Sequence, residues 1–141
     1  MKALFILVLS TLTLTLTAQD DLTGVWYNTE KSGKIRIYEE GGEYFGEIVW
    51  LEEPLNENGD PKVNENAPDA QDRDDPILGL TVLKGFTEKK EGVYTNGTIY
   101  DPENGKTYKC KMTLDGDELD VRGYVGIPAF GRTENWTRTT L

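Results

Sequence analysis

The side chains able to do chemistry in this sequence are chiefly carboxylates. There is no histidine, one cysteine (Cys110) and, beyond residue 18, one serine (Ser32). Ser–His and Cys–His nucleophile pairs and His-based metal sites are therefore excluded. Any catalysis would run on Asp, Glu, Tyr, Lys or Arg. Inward-facing paired carboxylates act as acid and base in glycoside hydrolysis. Glu47, between Gly46 and Ile48, and Asp120, between Leu119 and Val121, are the mid-segment acids to weigh. Alternation sets Asp120 opposite the apolar residues of its segment, so a solvated acid is the simpler reading there.

A second acidic feature is the stretch from Glu52 to Pro76, "EEPLNENGDPKVNENAPDAQDRDDP". Asn56, Asn58 and Asp60 are spaced as calcium-type oxygen ligands, and Asp72 to Asp75 add more oxygen. An EF-hand loop also needs a longer ligand series, a terminal bidentate Glu and flanking helices, which are missing. A solvated polar loop is the simpler reading, and no metal or cofactor is assigned. Cys110 falls on the apolar side of its segment, between Tyr108 and Met112, and reads as a small buried hydrophobe. "NGT" at Asn96 and "NWT" at Asn135 match a glycosylation pattern but lie mid-segment.

Binding is better served than catalysis. Aromatic residues are frequent, and most must fill a core. Some could instead line a cup: Trp50, Tyr124 and, in the apolar connection "GIPAFG", Ile127 and Phe130 at its lip. Arg36, Arg122 and Arg132 could receive an anionic head group if they face inward; for Arg122 an outward strand charge is the better reading.

The elements that would position these residues are strands. Apolar residues alternate, and Gly, Asn and Asp punctuate them. "GKIRIYEE" puts Ile35 and Ile37 on one face, Gly41-Gly42 makes a hairpin turn, and "EYFGEIVWL" returns with Tyr44, Ile48 and Trp50 sharing a face. Gly46 in that run marks a bulge or bend. "PILGLTVLKGF" reads as a buried strand or a short helix. "GVYTNGTIY", the "DPENGK" turn, "TYKCKMTL", "LDVRGYV" and "RTENWTRTTL" continue the alternation, with Leu119, Val121 and Val125 expected inward. About eight antiparallel strands follow in meander order. Such a chain hides its sheet edges by closing as an up-and-down β-barrel or by stacking as a β-sandwich. Closure would set Trp26 beside Trp136 and Arg138.

Residues 1–18 read as a signal peptide: Lys2, an apolar run from Leu4 to Leu9, and Ala18 before the cleavage point. The apolar run is too short for a membrane span. Residues 19–141 then form a single β-barrel domain with a long acidic loop at 52–76, exported to the periplasm or the medium. The net charge of −10 disfavours nucleic acid and anionic lipid as partners. One cysteine permits no internal disulfide.

An early Gly-x-Trp (Gly24, Trp26) and a late Arg (Arg138, with Arg132 as the other option) resemble the calycin superfamily of lipocalins and fatty-acid-binding proteins. That resemblance implies a barrel in which the Trp closes the floor and the Arg covers its indole. "GVWYN", "PILGLTVLKGF", "GTIYDPENGKTYKCKMTL" and the closing "GYVGIPAFGRTENWTR" are together similar to a family of small exported bacterial proteins known as domain of unknown function 2147. The family tends to carry a basic residue directly before Pro76, where this chain has Asp75. The resemblance implies an envelope or secreted protein and supplies no catalytic residues.

The expected function is therefore non-catalytic binding of an apolar or amphipathic small molecule. The rivals are an envelope protein–protein interaction module and a carboxylate-based envelope enzyme.

Overall fold

The computed structural model describes residues 21–141. The signal-peptide reading falls outside them. Eight strands run in chain order: β1 (Gly24–Tyr27), β2 (Gly33–Glu40), β3 (Glu43–Leu51), β4 (Thr81–Lys90), β5 (Val93–Asp101), β6 (Lys106–Asp115), β7 (Glu118–Tyr124) and β8 (Arg132–Thr139). Each pairs antiparallel with the next, and β1 pairs with β8, so the sheet closes into a barrel and leaves no open edge. The sandwich alternative is set aside.

Antiparallel order sorts the connections to two ends. The β2–β3, β4–β5 and β6–β7 hairpins close one end tightly, and glycines take the left-handed φ these turns demand, as at Gly41 (61°) and Gly42 (81°). The other end carries the β1–β2, β3–β4 and β7–β8 loops and the β5–β6 turn.

The tight end is solid. Leu22, Trp26, Ile37, Leu83, Phe86, Met112 and Leu119 are all buried there in one core. Two glycines make room for it. A Cβ on Gly97 would fall 2.4 Å from the Phe86 ring, and one on Gly46 would fall 2.8 Å from Leu83. The register of β3 against β4 shifts on both sides of Gly46, which is the irregularity expected from that glycine.

Two orientations and one strand boundary differ from the expected ones. Trp50 does not share a face with Ile48. Ile35 pairs with Ile48 while Lys34 pairs with Trp50, so Val49 is an extra residue, and this bulge turns Trp50 outward against Tyr27 and Lys34. Val125 is exposed rather than inward, because β7 ends at Tyr124 and Gly126 (φ 79°) turns the chain away. The apolar run after Pro76 is a strand only from Thr81; Ile77 to Leu80 form a turn, with Gly79 at φ 90°.

Candidate functional site

The floor is built first. Trp26 is fully buried and donates its indole N–H to the Leu22 carbonyl at 3.0 Å. Arg138, its partner across the β1–β8 seam, lies with its guanidinium carbon 4.3 Å from the indole centroid. Arg138 Nε donates to Asp117 Oδ1 at 3.1 Å. Its terminal nitrogens reach the carbonyls of Thr23 (3.1 Å) and Asp21 (2.8 Å). One side chain thus ties the segment just before β1 to the β6–β7 turn. Gly24 lies at φ 128°, and a Cβ there would come 3.2 Å from the guanidinium. Arg132 sits at the opposite end, so Arg138 is the closing arginine.

Above this floor the barrel is hollow. A cavity of about 1140 Å³ reaches from the mid-barrel to the loops of the other end. Its inner wall includes Ile35, Ile48, Val82, Ile99, Val121 and Trp136. Those residues come from six different strands, each from an inward-facing position. Volumes of this order hold a drug-sized molecule.

The long β3–β4 connection folds across the mouth rather than trailing over the surface. Backbone bridges join Leu55 to Pro61 and Val63 to Pro76. Asn64 is buried, and its Oδ1 accepts from the Tyr100 hydroxyl at 2.6 Å. Asn66 Nδ2 donates to the carbonyls of Pro102 and Glu103 on the β5–β6 turn, at 3.1 and 3.0 Å. That turn needs Gly105 (φ 72°) both for its conformation and because the Asn66 carbonyl occupies the space of a Cβ.

The expected site residues divide. Tyr124, Phe130 and Arg132 border the cavity at its mouth. Ile127 is an exposed tip of the β7–β8 loop outside the lining, and Trp50 is on the outer wall. Arg36 also faces out: Ile35 and Ile37 take the inward positions, and Arg36 binds Glu47 Oε1 at 2.6 Å on the surface. Arg122 donates to the Pro128 carbonyl (2.7 Å) and Thr133 Oγ1 (2.7 Å), which holds the β7–β8 loop in place.

The two mid-strand acids do not meet. Glu47 is held by Arg36, and Asp120 accepts from Asn135 on the outer face. In the acidic loop, Asn56 Oδ1 accepts the backbone amides of Asn58 and Asp60 (2.9 and 3.0 Å), which makes it a turn-forming oxygen. Among the described residues no cluster of three or more His, Cys, Asp or Glu is arranged to hold a metal. Cys110 is buried, and desolvation pushes its thiol up to about 12. No helix among the described residues is long and apolar enough to cross a membrane.

Among the lining residues that sequence reasoning missed, Glu134 stands out. Glu134 lies on the inward face of β8, opposite Val121, and borders the cavity beside Trp136. Its Oε2 accepts the Trp136 indole N–H at 3.3 Å. The parity that joins Trp136 to Arg138 on one face also includes positions 134 and 132, so the signal was present.

With the barrel, its plugged floor and its cavity in view, the sequence profile described as "uncharacterized protein conserved in bacteria (DUF2147)" matches residues 24–138. The chain belongs to the DUF2147 family. The matched span of this DUF2147 protein begins at the floor glycine and ends at the closing arginine. A solved structure from Helicobacter pylori, of a protein described as belonging to the lipocalin family, superposes with a TM-score of 0.77 at 19% identity. The match covers 85% of this chain and 84% of that one. At that identity the likeness is one of fold. No curated protein matches the DUF2147 chain.

Proposed function

We propose that this DUF2147 protein is an exported, non-catalytic carrier that holds one apolar or amphipathic small molecule in its barrel. The carrying observation is the cavity of about 1140 Å³, which lies above the floor built on Trp26 and Arg138 and is walled by aliphatic side chains in the mid-barrel and by polar ones toward the mouth. A purely structural barrel of eight strands fills its lumen with side chains, whereas one that holds a ligand leaves it hollow. The lipocalin-like architecture supports small-ligand binding in general. Apolar burial of the ligand body supplies affinity, and the polar mouth supplies orientation. Exposed Val125 and Phe130 beside the mouth give an apolar molecule a first contact on the way in.

The test is native mass spectrometry of protein purified from its own host, together with titration of a neutral fluorescent reporter such as N-phenyl-1-naphthylamine. Saturable uptake is expected, abolished by Ile99→Trp, which fills the wall without touching the floor. A protein that emerges empty and never takes up the reporter would overturn the carrier reading. The same spectra report export: the mature chain should begin at Gln19.

A further inference from the structure

Resting on the carrier reading, we propose that the ligand is a cationic amphiphile and that Glu134 receives its positive charge. Glu134 lies on the inward face of β8 and borders the cavity at half-burial, opposite Val121 and in a lining that also includes Ile99. Among the described residues it has no ion-pair partner. Its one side-chain hydrogen bond among the described residues comes from the neutral Trp136 indole N–H and engages Oε2, which leaves Oε1 without a protein donor. Arg132, the next residue on that face toward the mouth, is exposed and forms no ion pair with it.

The physical consequence follows from desolvation. A ligand entering the cavity strips water from this carboxylate. A neutral or anionic ligand leaves the charge uncompensated, which is costly. An ammonium group replaces the lost water with a charge-assisted hydrogen bond. Trp136 and Tyr108 border the same space and add π-systems that favour cations.

The mouth reinforces the preference. Glu30, Glu52, Glu65, Asp101 and Glu103 border it against Arg132 and Lys62, and Lys62 lies 3.9 Å from Glu53. A low-dielectric cleft focuses such a field. Of the three arginines that could have served an anionic head group, Arg36 is on the outer wall and Arg122 is held by the β7–β8 loop; only Arg132 borders the cavity, at its exposed mouth and outnumbered by the acids there. The ligand class is therefore an ammonium group on an apolar body, with the body toward the Trp26 floor and the charge at the level of Glu134.

Three probes that share one tail separate charge from carriage: dodecylammonium, dodecanoate and dodecanol, each titrated below micelle formation into the intact mature protein by reporter displacement. Dodecylammonium should bind at least about 10-fold tighter than dodecanoate, or ~1.4 kcal/mol. Glu134→Gln should reduce that ratio to about 2 or less and leave dodecanol unaffected, whereas Glu134→Asp should keep the preference. Salt should weaken a rim variant's effect, as with Glu53→Gln, more than that of the enclosed Glu134. Dodecanoate binding as tightly as dodecylammonium, or a ratio unchanged in Glu134→Gln, overturns the charge assignment and leaves the carrier reading standing. If none of the three binds, both fall.

Discussion

Arg138 does more than cover an indole. Its fork joins three segments distant in sequence, and the planar guanidinium matches both the ring and the carbonyls it meets. Arg138→Lys keeps the charge and loses the fork, and should cost about 1–3 kcal/mol of stability in urea denaturation. Trp26→Ala removes the largest buried side chain of the floor and should cost about 3–5 kcal/mol by the same measurement. Gly97→Ala should destabilise by about 1–3 kcal/mol, because its methyl would enter the Phe86 ring. Gly97→Ala and Phe86→Leu in combination should cost less than the sum of the two, since the smaller side chain gives the methyl room.

At this scale the floor was legible, because Gly-x-Trp and a late Arg are distinctive and their types dictate a stack. Glu134 was not, because an acid between Thr133 and Asn135, in a polar stretch, reads as a solvated strand charge. Only the face shared with buried Trp136 shows that it points in. Arg36 failed for the converse reason. Its alternation was read correctly, but the charge belongs to the outward set, where Glu47 waits across the strand pair.

Among the elements, the β3–β4 connection has the most independent behaviour. It is largely exposed and is held to the barrel by the Asn64–Tyr100 and Asn66–turn hydrogen bonds. Asn66→Ala removes two of these and should speed amide exchange over residues 62–67, with little change in the global unfolding midpoint. Tyr100→Phe leaves the buried Asn64 oxygen without its donor and should cost about 1–3 kcal/mol locally, read from the same exchange experiment. If the carrier reading holds, both variants should also speed release of a bound reporter in stopped-flow displacement.

The strands themselves were legible, since alternation and Gly-rich turns are local signals. The orientation of Trp50 was not, because the extra residue at Val49 appears only once β2 and β3 are aligned. The seating of the loop was equally hidden. Asn66 meets residues 36 and 37 positions away, and nothing in an Asn/Asp/Pro-rich stretch records which turn it will meet.

For the molecule as a whole, alkaline pH should be the weak side. Burial pushes the Cys110 thiol up to about 12 from 9.0, and desolvation, with Glu88 next in importance, pushes Tyr94 up to about 12 from 10.0. Both groups are neutral in folded and unfolded chains below about pH 8. Above it the unfolded chain loses protons that the folded chain keeps, first from the thiol and then from the phenol. The unfolding midpoint should therefore fall as pH rises from about 8 to about 12. Cys110→Ala and Tyr94→Phe should each flatten that decline in thermal melts run across the range. The native thiol should also resist thiol reagents at neutral pH and react once the protein is unfolded.

A barrel hollow at one end and plugged at the other is a cul-de-sac. Whatever enters past the β3–β4 connection must back out by the same door, because Trp26, Phe86 and Leu119 block through-flow. On the carrier reading, a long guest would be oriented on entry and could not turn around inside. Residence time would then be set at the doorway, so variation in the loops would retune exchange while the strands beneath stay unchanged.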